Sequence, residues 1–506
     1  MSLVGARDGV EIVDAKGVLS WAEADDLLNR AVHALLAADV GPRRRVAVFA
    51  ENSAETALAH VAGLLAGAST VPVNFHLTAD EAAYILSDSG AQLLFVGPEN
   101  LEVGAKAAAQ AGLPTVVAWR APARPFDGVI AWEDWLAAAD PSEPPTDLPP
   151  SPSLMYTSGT TGRPKGVEQP PPMFAGGTSM SEHVERLREN RFAELGMHLV
   201  AGPLYHTGPL SAVRLLACGV PVSIPARFDA EAVLASIERD RVETSVMVPT
   251  HFARLLALPE AVKARYDVSS LRLVAHTGSA CPGEVKRAMI DWWGPIFVEA
   301  YGATEVGTVC QITSAEWLER PGSVGRCVPE FEALVVDDTG ASPPPGAEGR
   351  LYFRDRSGRG IVYHNDPAKS AAAHLAPGVF TLGEIGYVDD DGYVFVTDRF
   401  SDMVVSGGVN LYPAEAEAVL MQHPKVADVA VIGVPHEEMG EELKALVVAV
   451  DPADPPAEAD VIAFCRERLT AMKCPRSVEI IGTVGRTAMG KVDKRALRAP
   501  YWERTA

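Results

Sequence analysis

Positive charge is what this chain is shortest of: 44 Lys and Arg stand against 66 Asp and Glu, a formal net charge of −22 over 506 residues. A surface of that sign repels a phosphate backbone unless a local basic patch overrides it, and no such patch is visible, so nucleic acid is excluded as a partner. Cysteine is sparse as well. Cys218, Cys281, Cys310, Cys327, Cys465 and Cys474 are scattered, with no CxxC pair and no Cys/His spacing suited to zinc, which predicts plain thiols in a reducing compartment. Long hydrophobic runs are missing too. No apolar stretch approaches the ~20 residues that cross a bilayer, and the opening MSLVGARDGVEIVDAKG lacks a basic region followed by an apolar one. A soluble, cytoplasmic protein without a transmembrane segment is the expectation.

What is present is an ordinary globular composition, 47% hydrophobic and 22% charged, in a chain too long for a single core of ~250 to 300 residues. Helical periodicity at 21–40 gives way to the apolar run at 45–51. AETALAHVAGLLAGA, STVPVN, ADEAAYILSDSGA and QLLFVG then alternate helix with strand. Such alternation predicts parallel βαβ units with helices on both faces of a sheet. It resumes at 231–258 and again in LRLVAHTG and CPGEVKRAMIDWWG. From about Ala333 the texture changes to short strands and turns, DDDG at 389–392 marking a tight one, and about a hundred residues after Arg399 suffice for a small α+β domain. The fold class is therefore α/β, with parallel and mixed sheets packed with helices, a small β-barrel-like part and a compact C-terminal α+β domain. The expected division is 1–399 and 400–506.

The most specific stretch is LMYTSGTTGRPKGVE, 154–168. A strand-like run leads into a loop of backbone amides and hydroxyls closed by Lys165. Absent Cβ atoms let successive N–H groups converge on an anion, and hydroxyls and a lysine add donors and charge, so the loop is a phosphate site. It is not the Walker A pattern, because Arg163 and Pro164 stand where that pattern needs the lysine to follow glycine directly.

The string YTSGTTGRPKG resembles the phosphate-loop signature of the adenylate-forming superfamily: acyl-CoA synthetases, luciferases and the adenylation domains of peptide synthetases. Further segments match that family in its order: PLYHTG (203–208), AHTGSACP (275–282), EAYGATEVG (299–307), the crossover at 392–420 and GRTAMGKVDKRAL (485–497). The resemblance implies ATP, Mg²⁺ and coenzyme A as cofactors. It places nucleotide contacts at Thr157, Ser158, Gly159, Thr160, Thr161, Gly162 and Lys165, at Gly278, Ser279 and Ala280, and at Glu299, Ala300, Tyr301, Gly302, Thr304 and Glu305. Val396 and Arg399 complete them. Glu305 would hold the metal, and Lys491 would bridge the attacking carboxylate and the α-phosphate. Thr157, Lys165 and His206 would act beside them. Tyr205, His206, Phe174, Ala175, Met247, Ser279 and Ala280 would line the acyl pocket, whose apolar character implies an apolar acid of the fatty, aromatic or bile-acid type. A His at 206, where amino-acid-activating domains usually carry Asp, argues against an amino-acid substrate.

The chain also departs from the family pattern. TLGE places Glu384 where the ribose-binding Asp usually stands, and glutamate still offers two acceptors to a vicinal diol. Ser401 takes the hinge position, commonly Asp or Lys, where backbone freedom rather than charge is required. Gly407 and Gly408 mark the expected pantetheine passage, with Met439, Lys473 and Arg476 as candidates for the coenzyme's nucleotide. The expected activity is acid–thiol ligation through an acyl-adenylate. Loading of a carrier-protein phosphopantetheine and a non-catalytic ATP-binding relative are the alternatives, and a homodimer is left open.

Overall fold

In the computed structural model the described residues are 11–121, 128–157, 164–337, 339–399, 402–406, 409–436, 439–487 and 490–502, excluding the side chains of 172, 399, 409 and 410. Ser158, Gly159, Thr160, Thr161, Gly162, Ser401, Gly407, Gly408 and the side chain of Arg399 lie outside them.

The alternating pattern near the start folds as it implies. Five strands run parallel in the order Ser69–Pro72, Arg45–Phe49, Leu93–Val96, Thr115–Ala118, Val129–Ala131. The helices Ala54–Leu65, Ala79–Ser89 and Leu101–Ala111 connect them. Leu93–Val96 is buried along its whole length, which explains why it reads as an unbroken apolar run. Local signals set the helix ends: Thr78 and Glu81 form a reciprocal capping box, and Gly90 closes the same helix in the left-handed conformation.

A larger mixed sheet carries the rest of the N-terminal part. Its parallel strands include His198–Leu199, Thr244–Met247, Leu273–His276 and Phe297–Ala303. Gly307–Thr313 and Ser323–Cys327 continue it antiparallel. Through Val394–Arg399 it joins the short strands Glu384–Val388 and Gly349–Asp355, so the barrel-like part is an extension of this sheet. Phe331, Leu351, Phe353 and Phe380 fill its interior. The C-terminal unit is α+β, with Val404–Ser406, Val426–His436, Gly440–Ala449 and Ser477–Ile480 in one sheet beside the helices Pro413–Leu420 and Glu458–Arg466.

The core under the parallel strands is aromatic. Phe252 is fully buried and meets the Phe297 ring edge-on at 5.3 Å between centroids. Phe252→Ala removes that ring from a packed site and should lower stability by about 3–5 kcal/mol, read as a shifted denaturant midpoint of the isolated protein. A shift equivalent to less than about 1 kcal/mol would mean that the site repacks freely.

Candidate active site

In open parallel sheets ligands bind beyond the carboxyl ends of the strands, where successive loops converge. Here those ends are Met247, His276 and Ala303, and the segments that follow them hold Thr250, Ser279 and Glu305. His206 precedes the helix Thr207–Val213 on the same side. The Thr207 hydroxyl donates to Thr304 Oγ1 at 3.2 Å, which ties that helix to the YGATE turn. Gly208 permits the close approach: a Cβ there would lie 3.2 Å from Val246 Cγ1 and 3.7 Å from Thr277 Cγ2.

The C-terminal unit contributes a turn to this edge. Thr487 N–H donates to the Lys491 carbonyl at 2.8 Å, Lys491 N–H donates to Thr487 Oγ1 at 3.1 Å, and Gly490 between them has φ +75°. Arg486 fastens the turn, donating to both Asp428 carboxylate oxygens at 2.6 and 2.7 Å and to the Gly490 carbonyl at 2.8 Å. A Cβ on Gly490 would collide with Thr250 Oγ1 and lie 3.7 Å from Ser279 Oγ. The residue before Lys491 therefore touches the large unit at its strand ends. Burial, and after it the charge of Lys491, push His206 down to about 4, so its imidazole is neutral at pH 7.

A second group of charges gathers where the hydroxyl-rich loop begins and ends. Thr157 pairs with Lys165 across the hairpin that carries the loop. Lys369, which the sequence did not single out, faces Lys165: burial and that neighbouring ammonium hold it down to about 8. Its Nζ lies 3.9 Å from the Tyr363 ring centroid, and the Tyr363 hydroxyl donates to Glu305 Oε1 at 3.2 Å. Two lysines brought together in this way suit a polyanion between them. Among the described residues no three His, Cys, Asp or Glu cluster as a metal cage. The lone carboxylate of Glu305 fits a cation such as Mg²⁺ that keeps most of its waters and takes other oxygens from phosphates.

Glu384 is buried and accepts from the Tyr301 hydroxyl at 2.9 Å, directly opposite Arg399 in the strand ladder. Gly278 has φ +94° at its turn, and Ala280 is exposed. Phe174 and Ala175 are buried, the Phe174 ring lying 3.2 Å from where a Cβ on Gly307 would stand. Tyr205 is half-buried with its ring edge-on to Phe75 at 5.2 Å. Met247 corrects the sequence expectation: it packs into the core with Phe252 and Val274, and its neighbour Val246 is the residue turned toward Gly208. With one polar and one apolar residue on each face, the strand Thr244–Met247 conceals that choice from the sequence. Of the coenzyme candidates, Lys473 pairs with Glu415 at 2.7 Å, Met439 N–H donates to His436 Nδ1 at 3.1 Å, and Arg476 N–H donates to the Leu443 carbonyl at 2.8 Å.

Glu299 has a partner that the sequence reading missed. Its carboxylate, 8% exposed, meets Lys286 Nζ at 2.6 Å, with His276 Nε2 3.8 Å away. Burial raises the Glu299 carboxyl above its ordinary range, and Lys286 draws it back. Lys286→Met should therefore destabilise the protein by about 3–5 kcal/mol near neutral pH. A carboxyl whose folded pKa is raised keeps a proton that the unfolded chain has lost, so its penalty grows as pH rises above the unfolded value. Denaturation near pH 5 and near pH 8 checks this; equal losses at both would place the effect in packing alone.

Residues 4–359 match the AMP-binding enzyme family and residues 415–491 the AMP-binding enzyme C-terminal domain. A feruloyl-CoA synthase of an Amycolatopsis species is 36% identical over 96% of this chain and 94% of its own length. An indoleacetate–CoA ligase of Aromatoleum aromaticum is 33% identical over 95% and 92%. The solved structure of the anthranilate CoA ligase AuaEII in complex with anthranoyl-AMP superimposes with a TM-score of 0.83 at 25% identity, over 98% of this chain and 95% of that one.

Proposed function

We propose, on the premise that the chain belongs to the AMP-binding enzyme family, that it activates an apolar carboxylic acid with ATP and passes the acyl group to coenzyme A. The observation that carries this reading is the seating of the Gly490–Lys491 turn against Thr250 and Ser279, within reach of His206. Adenylation must bring a carboxylate oxygen onto the α-phosphorus although both are anionic, so a cation fixed between them lowers the barrier where charge develops. Lys491 is that cation in this reading. The new bond joins carboxylate oxygen to α-phosphorus, the α–β phosphoanhydride breaks, and pyrophosphate leaves. Neutral His206 lines the carboxylate without adding a second positive charge.

Lys165 and Lys369 hold the outer phosphates together with the hydroxyls of Thr157 and the loop beyond it. A Mg²⁺ at Glu305 would neutralise phosphate charge, its carboxylate oriented by Tyr363. Tyr301, Glu384 and Arg399 surround the ribose. The coenzyme A thiol then attacks the acyl carbonyl and AMP departs, with Gly407 and Gly408 along the pantetheine passage. A rotation about Ser401, between units 1–399 and 400–506, exchanges the two half-reactions. The apolar surroundings of Gly208, Val246 and Phe174 favour an aromatic or alicyclic acyl group, and the ligases named above take their names from aromatic acids. Pyrophosphate release measured across short, long, aromatic and steroid carboxylates tests the reading. Release that does not depend on added acid would refute it.

A further inference from the structure

Two polar side chains behind the candidate acyl site have bonding capacity that the protein leaves unused. Arg214 lies one step past the helix Thr207–Val213 and is 6% exposed. Its buried Nε has no hydrogen-bond partner, and among the described residues no carboxylate pairs with the guanidinium. His183, 2% exposed, has Nδ1 at 3.1 Å from the Gly176 carbonyl and leaves Nε2 without a partner. Because a carbonyl only accepts, Nδ1 carries the proton; burial and the charge of Arg214 push this ring down to about 4, so Nε2 is a bare lone pair. A buried guanidinium facing no acceptor is costly. The Phe174 ring, 5.8 Å from it to the centroid, offsets part of that cost.

The position of Phe174 connects this pair to the chemistry. Its Cζ approaches Gly307, two residues after Glu305, so the same aromatic ring meets Arg214 and the segment that follows the YGATE turn. The seven helical residues Thr207–Val213 separate His206 from Arg214, eight steps that span roughly 12 Å along the axis. An acyl group whose carboxylate lies at His206 and Lys491 can extend that far. A donor and a lone pair together match a group that accepts from one and donates to the other. A hydroxyl does both. A carboxylate would satisfy Arg214 but turn lone pairs toward His183, and a methyl group satisfies neither.

We infer that Arg214 and His183 bind a hydroxyl at the end of the acid remote from its carboxylate, which makes the substrate a hydroxylated apolar acid. This rests on the acid-ligase reading above and narrows it. A buried water has the same donor–acceptor chemistry, so the test must separate water from substrate.

Pyrophosphate release is measured with para-hydroxycinnamate against cinnamate and with omega-hydroxydecanoate against decanoate. A site built to bond a hydroxyl discriminates strongly against the analogue that lacks it, so kcat/KM should favour the hydroxylated member of at least one pair by about a hundredfold or more. Arg214→Met should bring that ratio below about ten, and His183→Asn serves the same purpose if the first variant does not fold. Wild-type ratios below about ten in both pairs overturn the inference and assign the two side chains to a water. Turnover of other acids with none from these four also overturns it. Absence of acid-dependent release with every carboxylate removes instead the ligase reading beneath it.

Discussion

Replacing Lys491 with alanine should lower acid-dependent pyrophosphate release by on the order of a hundred- to a thousandfold, the usual cost of losing one charge-stabilising group at a reacting centre. Thioester formation from supplied acyl-adenylate and coenzyme A should stay within about threefold of wild type, because in that step the α-phosphate has already been transferred. The asymmetry follows from geometry. Gly490 packs against Thr250 and Ser279, and Arg486 clamps the turn to Asp428, so the lysine is held at the strand ends by contacts that the substitution leaves in place. Measuring the two half-reactions separately decides the matter. Equal losses in both would make Lys491 a structural residue.

Glu305→Gln should reduce adenylation about a hundredfold and raise the Mg²⁺ concentration at half-maximal rate, since an amide is a far poorer ligand for a hard cation. Tyr363→Phe, which removes the hydroxyl donating to Glu305 Oε1, should cost about tenfold, as the loss of a ligand-orienting hydrogen bond does. The order of these effects carries the information. A Tyr363 variant as impaired as the Glu305 variant would indicate that the hydroxyl contacts the nucleotide itself. A Glu305 variant with unchanged Mg²⁺ dependence would remove the metal from this carboxylate.

How much of this was legible before any coordinates depended on how the information is stored. Lys165, Glu305 and Lys491 stand in contiguous runs of glycines, hydroxyls and charges whose chemistry is local, so the runs announce themselves. The strands Arg45–Phe49, Ser69–Pro72 and Leu93–Val96 were equally plain, because strand and helix periods alternate there, whereas Thr115–Ala118 and Val129–Ala131, which complete the sheet, were not read from the sequence. Lys369, Lys286, Arg214 and His183 were silent. Each sits in ordinary helical sequence, and its significance comes from a neighbour distant along the chain: Lys165 for Lys369, and Phe174 for Arg214. Met247 and Val246 were ambiguous for another reason, since each face of their strand pairs one polar with one apolar residue and nothing in the residue types says which face meets the helix of Gly208.

The most direct test of adenylation is the fate of the carboxylate oxygen. An acid labelled with a heavy oxygen isotope in its carboxylate is turned over with ATP and coenzyme A, and the products are weighed by mass spectrometry. If the carboxylate attacks the α-phosphorus, AMP must leave carrying one labelled oxygen and pyrophosphate must be unlabelled. Unlabelled AMP, or label in inorganic phosphate beside ADP, would contradict the adenylation proposed for Lys165, Glu305 and Lys491.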